Sequence, residues 1–402
     1  MKKSLILSML MCSLYSMGQI STQSNAHGSI LITPKGLQSK SNPSADTTNV
    51  ALGPSTLKAN TTGNSNTAIG SGALVFNTIG VKNTATGASV LRNNTTGSYN
   101  TGHGESALVS NTSGVYNTAT GIYALQSNTT GYENTANGSK ALQSNTTGYY
   151  NTAYGAEALQ SNTIGYENTA YGNYALYNNT TGTQNTAIGA TSLINNTTGY
   201  SNTALGISAG LSNSTGRNNT FIGTQANANS SNLNNATALG YLASVNASNK
   251  IRLGNAQVTV IEGQVAYTYP SDRRLKENII YTSRLGLDFI NKLQTVSYSY
   301  KSDNTHVRHD GFVAQDIEAV MKELNVPFSG LKKSDDGMYS LAYSDFVMPL
   351  VNAAKELKQQ NDEQQSEIND LKKQLAALAQ RMTEMETAKT EAKMNDSEAA
   401  KR

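Results

Sequence analysis

The sequence predicts a mainly β protein: a parallel β-roll or solenoid of 17-residue repeats, then a small α+β domain, then a C-terminal coiled-coil helix. Three observations predict it. From residue 49 to about 250 the chain repeats itself, with two Gly/Asn turn signals in each repeat. At PSDRRLKENII, residues 270–280, the low-charge composition gives way to five ionisable residues, Asp272, Arg273, Arg274, Lys276 and Glu277. From about 345 to 388, apolar residues recur at alternating spacings of four and three among Lys, Glu, Gln and Asp.

A chain of 402 residues has room for two or three domains. Its charged residues are few (14%), Trp is absent and Gly, Asn and Thr abound. A disordered chain is normally rich in charge and Pro, whereas this one holds only 6 Pro, so a regular repeat explains its polarity better. The net charge of +3 is too small to argue for nucleic acid or a membrane surface as partner.

The first eighteen residues read as a secretory signal. Lys2 and Lys3 supply the positive region, and Leu5 to Tyr15 form an apolar run too short to span a bilayer. Ser16-Met17-Gly18 places small residues for cleavage before Gln19; the competing reading is a buried first helix. Cys12 is the single cysteine, and Met11 before it is too large for a lipoprotein signal. The mature chain would hold no disulfide and no thiolate metal site. A secreted or cell-surface location is expected, with residues 19–48 as a linker and no later membrane span.

The repeat is legible in NTATGIYALQSNTTGYE from Asn117 and NTAYGAEALQSNTIGYE from Asn151. Twelve copies follow one another without insertion. The fifth position is always Gly, from Gly53 to Gly240; the third is Ala except at Gly102 and Phe221; the ninth is Leu from Leu57 to Leu193. Gly and Asn at fixed offsets supply the backbone angles of tight turns, so two short strands per repeat are expected. One coil has too few apolar side chains for a core, and stacking joins them into a continuous one. At about 4.8 Å per coil, twelve coils make a rod of roughly 58 Å.

Residues 49–245 resemble the heads of trimeric autotransporter adhesins, parallel β-rolls with an Asn-x-x-Ala-x-Gly-like phrase. Those adhesins end in a membrane β-barrel, whereas this chain ends in a charged helix. Tyr99, Tyr116, Tyr132, Tyr150 and Tyr166 recur near the end of each repeat. They read either as an exposed stripe for cell-surface glycans or proteins, or as a stacked ladder that stabilises the coils; the ladder is the simpler reading. Thr-x-Thr is not sustained, which speaks against an ice-binding face. The Asn-x-Ser/Thr triplets match glycosylation acceptors, but turn chemistry accounts for them. The rod has no convergent acid pair or metal cluster, and no cofactor is expected.

Beyond the repeats, residues 251–270 alternate well enough for short connecting strands. Ser271-Asp272-Arg273-Arg274-Leu275-Lys276-Glu277-Asn278-Ile279 then closely resembles the start of the intramolecular chaperone domain of phage endosialidase tail spikes. HDGFVAQDIEAV from His309 and YSLAYSDFVMPLVNAAKEL from Tyr339 resemble later parts of that domain, which would cover residues 271–360. The resemblance implies two jobs: helping three chains fold as a homotrimer, and a single serine-peptidase cut of the chain itself. It assigns the nucleophile to Ser271 and the base to Lys276. Physically, a serine hydroxyl needs an adjacent base, and a lysine serves when burial lowers its pKa. Asp272 would orient Lys276 or cap the following helix. The cut falls beside Ser271; attack on the preceding carbonyl would break Pro270–Ser271, where the proline restricts the geometry. His309 reads as a packing residue.

Leu350, Ala354, Leu357, Asn361, Gln364 and Ile368 begin a heptad seam that Leu371, Leu375, Leu378, Met382 and Met385 complete. Residues 345–388 are therefore expected as a coiled coil, and 389–402 as a frayed tail. The whole reads as a secreted adhesin- or tail-fibre-like fibre. The alternative is a fibre that never cuts itself and keeps its C-terminal domain as a permanent trimer clamp.

Overall fold

The structure is a computed structural model that describes residues 48–265, 268–301, 306–334 and 337–399. The expected signal peptide, the linker before Thr48 and the last three residues lie outside them. The chain forms two compact units, one ending at Ile261 and the other beginning at Glu262.

The first unit is the expected parallel solenoid. Thirteen three-residue strands, from Val50–Leu52 to Ile251–Leu253, stack in chain order as one parallel sheet. Their register is the repeat itself: Thr118 pairs with Thr135, Ala119 with Ala136 and Thr120 with Asn137. Period-two alternation turns the third repeat position inward, and Ala119, Ala136 and Ala153 are fully buried there. They join the buried eighth-position alanines and ninth-position leucines in one continuous core.

The second expected strand per repeat is absent from most coils. The ninth-position leucines hold φ between 46° and 54°, which breaks an extended run. That conformation costs a non-glycine residue about 1–2 kcal/mol, and complete burial of a leucine offsets it with about 1.5–3 kcal/mol. Neighbouring coils still satisfy this corner, as Leu125 N donates to Ala141 O at 3.0 Å. Where the leucines stop, Gly210 still holds a positive φ, but in the next two coils a second strand forms: Asn227–Ala228 pairs in parallel with Ser244–Val245.

Asparagine contributes more than turn chemistry. The first and twelfth repeat positions form two buried ladders. Asn134 Nδ2 and Asn145 Nδ2 both donate to Gly148 O, at 2.8 and 3.0 Å. Asn151 N donates to Asn134 Oδ1 at 3.1 Å, and Asn145 Nδ2 to Asn128 Oδ1 at 2.9 Å. A Cβ on Gly148 would collide with Asn145 Oδ1 and with Gly165 O of the next coil, so only glycine fits between the ladders. The tyrosines stack as the ladder reading expects: Tyr132, Tyr149 and Tyr166 have centroids 4.9 Å apart and rings within 2° of parallel.

Of the expected connecting strands, Ile251–Leu253 is the last rung of the solenoid, paired to Thr237–Leu239. The described residues from Gly254 to Val265 form no strand, and Val258, Val260 and Ile261 stay exposed.

The second unit is α+β. A short helix, Leu287–Lys292, precedes an antiparallel pair, Val296–Tyr298 with His309–Gly311. The helix Ala314–Leu324 and the pair Leu331–Lys333 with Tyr339–Leu341 follow. Phe289, Ile317, Phe328 and Phe346 make its core. The chain then enters a 53-residue helix, Val347–Ala399, which runs past the expected end of the coiled coil at 388. Glu356 on this helix caps the short helix, accepting a hydrogen bond from Leu287 N at 2.7 Å. Gly286 makes the approach possible, since a Cβ there would strike the Glu356 carboxylate.

Candidate functional site

The charged stretch after Pro270 folds as one turn of 3-10 helix, Arg273–Leu275. Asp272 starts it: its carboxylate accepts from Arg274 N at 2.8 Å and from the Arg274 guanidinium at 2.7 Å. Arg274's hydrogen bonds hold the Asp272 carboxyl below its ordinary value, side chain first and backbone second. Of the two roles the sequence leaves open for Asp272, this geometry is that of the cap, and sequence reasoning did not pick out Arg274 as its partner. The signal was present in the spacing, because an N-cap carboxylate meets the backbone N–H two residues on.

The turn brings Lys276 back over Ser271. Lys276 Nζ lies 2.7 Å from Ser271 Oγ, the donor to its hydroxyl oxygen. Five residues of separation thus close into a direct contact within one chain. The pair sits at the surface, and residues 268–284 are exposed throughout. Several of them are apolar: Leu275 is 71% exposed, Ile280 81% and Tyr281 87%.

His309 lies in the strand His309–Gly311 with its ring against Tyr298 and Tyr300, at 5.9 and 5.3 Å. Gly311, in the second motif, faces Tyr343, whose hydroxyl accepts from Phe312 N at 3.0 Å. A Cβ on Gly311 would collide with that hydroxyl. Gly311 therefore serves the packing of the domain rather than the Ser–Lys pair.

Residues 271–325 match the family of the chaperone of endosialidase, Peptidase_S74. The match begins at Ser271 and takes in the 3-10 turn, the short helix, the first strand pair and the helix Ala314–Leu324. No curated protein matches the chain. A chaperone-of-endosialidase segment behind a parallel β-solenoid fits a tail-fibre-like protein. No helix among the described residues is long and apolar enough to cross a membrane.

Proposed function

We propose that residues 271–360 assemble three copies of an exported fibre and then cut each chain once, beside Ser271. The observation that carries this reading is the 2.7 Å contact between Lys276 Nζ and Ser271 Oγ at the start of the matched segment. With Lys276 neutral, Ser271 Oγ passes its proton to Nζ and attacks the Pro270 carbonyl carbon. The carbon–nitrogen bond breaks, the proton moves to the leaving nitrogen, and Pro270 is left as an ester on Oγ. Water hydrolyses that ester, restoring the Ser271 hydroxyl. The products are a rod ending in a Pro270 carboxylate and a released domain with a free amine at Ser271.

A lysine base must lose its proton, and desolvation is what drives that. In the single chain the pair is open to water, and so are Leu275, Ile280 and Tyr281. The exposed heptad seam of the long helix supports cover by other copies: Leu375 is 67% exposed and Leu350 52%. Two further chains packed on this region would bury the apolar residues and dry the dyad together. Cleavage then follows assembly instead of preceding it. Asp272 supports the turn that presents Lys276. The rod is the product, an adhesin- or spacer-like fibre, and cell-surface glycans or proteins are its candidate ligands.

The test is a denaturing gel of the full chain beside Ser271→Ala and Lys276→Ala, with light scattering on each. The wild type gives a trimer mass and two fragments, and the smaller fragment begins at Ser271. Both variants stay full length, with cleavage slowed at least about 10²–10⁴-fold. A trimeric wild type that never fragments would instead support the permanent clamp.

A further inference from the structure

The outward face of the solenoid sheet changes character part-way along. Each strand from Thr67–Ile69 to Thr237–Leu239 buries its middle residue and turns the second and fourth repeat positions outward. The second is Thr in every strand from Thr67 to Thr237. The fourth forms a column in register, coil on coil, and in the third to sixth coils it is polar: Thr86, His103, Thr120 and Asn137. From the seventh strand it turns apolar without interruption, as Tyr154, Tyr171, Ile188 and Leu205 and then Ile222, Leu239 and Leu253. Apart from the half-buried Ile222, these residues are 37–53% exposed. Six steps of about 4.8 Å make the strip about 29 Å long. It adds nothing to the rod's own core, which the alanines fill from the other side of the sheet.

We propose that this strip is where copies of the chain pack against one another, side by side, parallel and in register. The proposal rests on the assembly reading above and adds the surface that assembly uses on the rod. A parallel coiled coil in the C-terminal helix sets identical residues of the three chains at equal height, so each strip residue meets its own counterpart. Such a contact excludes charge, because any Lys or Glu would face itself. From Thr67 to Leu253 the two outward columns hold no Lys, Arg, Asp or Glu, and from Tyr154 on the fourth is apolar as well. Glu157 of these coils lies at another position, paired with Lys140 of the preceding coil at 3.6 Å. A partner of unrelated sequence would impose no such exclusion. A sugar ring would need an open aromatic face, but Tyr154 and Tyr171 stack on each other at 4.8 Å and within 6° of parallel. The polar coils from Thr86 to Asn137 fall outside the contact.

Single cysteines test this cleanly, since the chain's own cysteine is Cys12 alone. In a Cys12→Ser background, Leu205→Cys and Leu239→Cys probe the strip, Thr120→Cys the polar coils and Leu371→Cys the helix seam. All are exposed or part-exposed sites outside the core, so folding is spared. Disulfides need Cα atoms about 4.4–6.8 Å apart, and they are read on a non-reducing gel after mild oxidation, on the full chain or its rod fragment. Leu205→Cys, Leu239→Cys and Leu371→Cys should give linked dimers at least about tenfold above Thr120→Cys, in a protein of trimer mass. Trimer mass with linkage at Leu371→Cys and none above background at Leu205→Cys and Leu239→Cys overturns the strip while leaving assembly intact. A monomer mass with no linkage at Leu371→Cys overturns the assembly reading, and the strip with it.

Discussion

Val90 and Gly102 show how tightly single residues are matched inside the coils. Most coils carry Ala at both positions, the eighth of one coil and the third of the next. Here the first has grown to Val and the second has shrunk to Gly; a Cβ on Gly102 would collide with Val90 Cγ1. Phe221, at the third position, is matched in the same way by Gly210 at the ninth, with a Gly210 Cβ only 2.8 Å from the Phe221 ring. Gly102→Ala alone should overpack the core and lower stability by about 1–3 kcal/mol. Adding Val90→Ala should return most of it, seen as a recovered thermal midpoint in a double-mutant cycle; simple additivity would contradict the match. At the surface, Asp272 titrates below an ordinary aspartate because Arg274 binds its charged form. Its folded value is depressed, so the cap contributes above the unfolded value and is lost as pH falls through the folded one. Arg274→Ala should move the Asp272 carboxyl resonance midpoint upward in an NMR titration.

Among the elements, the long helix carries two adjoining stripes, one buried and one exposed. Phe346, at its entry, and Pro349 and Ala353 are buried against the second unit, and Glu356 continues that side as the cap on Leu287. Leu350, Leu357 and Leu371 lie on the stripe next to it and are exposed from the first turn onward. The seam is thus free even where the helix touches its own domain. Glu356→Ala should cost about 0.5–2 kcal/mol, the worth of a lost N-cap, and should lower the domain's melting midpoint without changing the mass of the assembly. A change of oligomeric state would mean that the two stripes are not independent. The seam was legible in the 4-3 spacing. Which residues meet the domain was not, because spacing defines faces without naming what each one covers.

For the whole molecule, the repeat makes stability nearly a sum over neighbouring coils. The rung-to-rung ladder bonds reach one period along, as the bond from Asn145 Nδ2 to Asn128 Oδ1 does across 17 residues. Deleting residues 134–150 removes one full period and should leave a folded rod, shifted by only a few degrees in melting temperature. Deleting 134–149 instead puts every later Ala and Asn out of register and should abolish cooperative melting, as circular dichroism would show. In the family-matched unit the Ser–Lys pair is built within one chain, beside exposed apolar residues.

By itself the sequence determined the period, the solenoid class, the Ala/Leu core, the Ser271–Lys276 candidates and the helical seam. Each of these is written as identity or spacing along the chain, and recurs often enough to be counted. Only the tertiary structure decided that the leucines sit at positive φ and leave one strand per coil. It also decided that the asparagines form two buried ladders on one glycine carbonyl, and that Asp272 turns to Arg274. Backbone angles and hydrogen-bond partners depend on what the next coil or turn places within reach. A residue's own type sets what it can bond, and its neighbours in space set what it does bond.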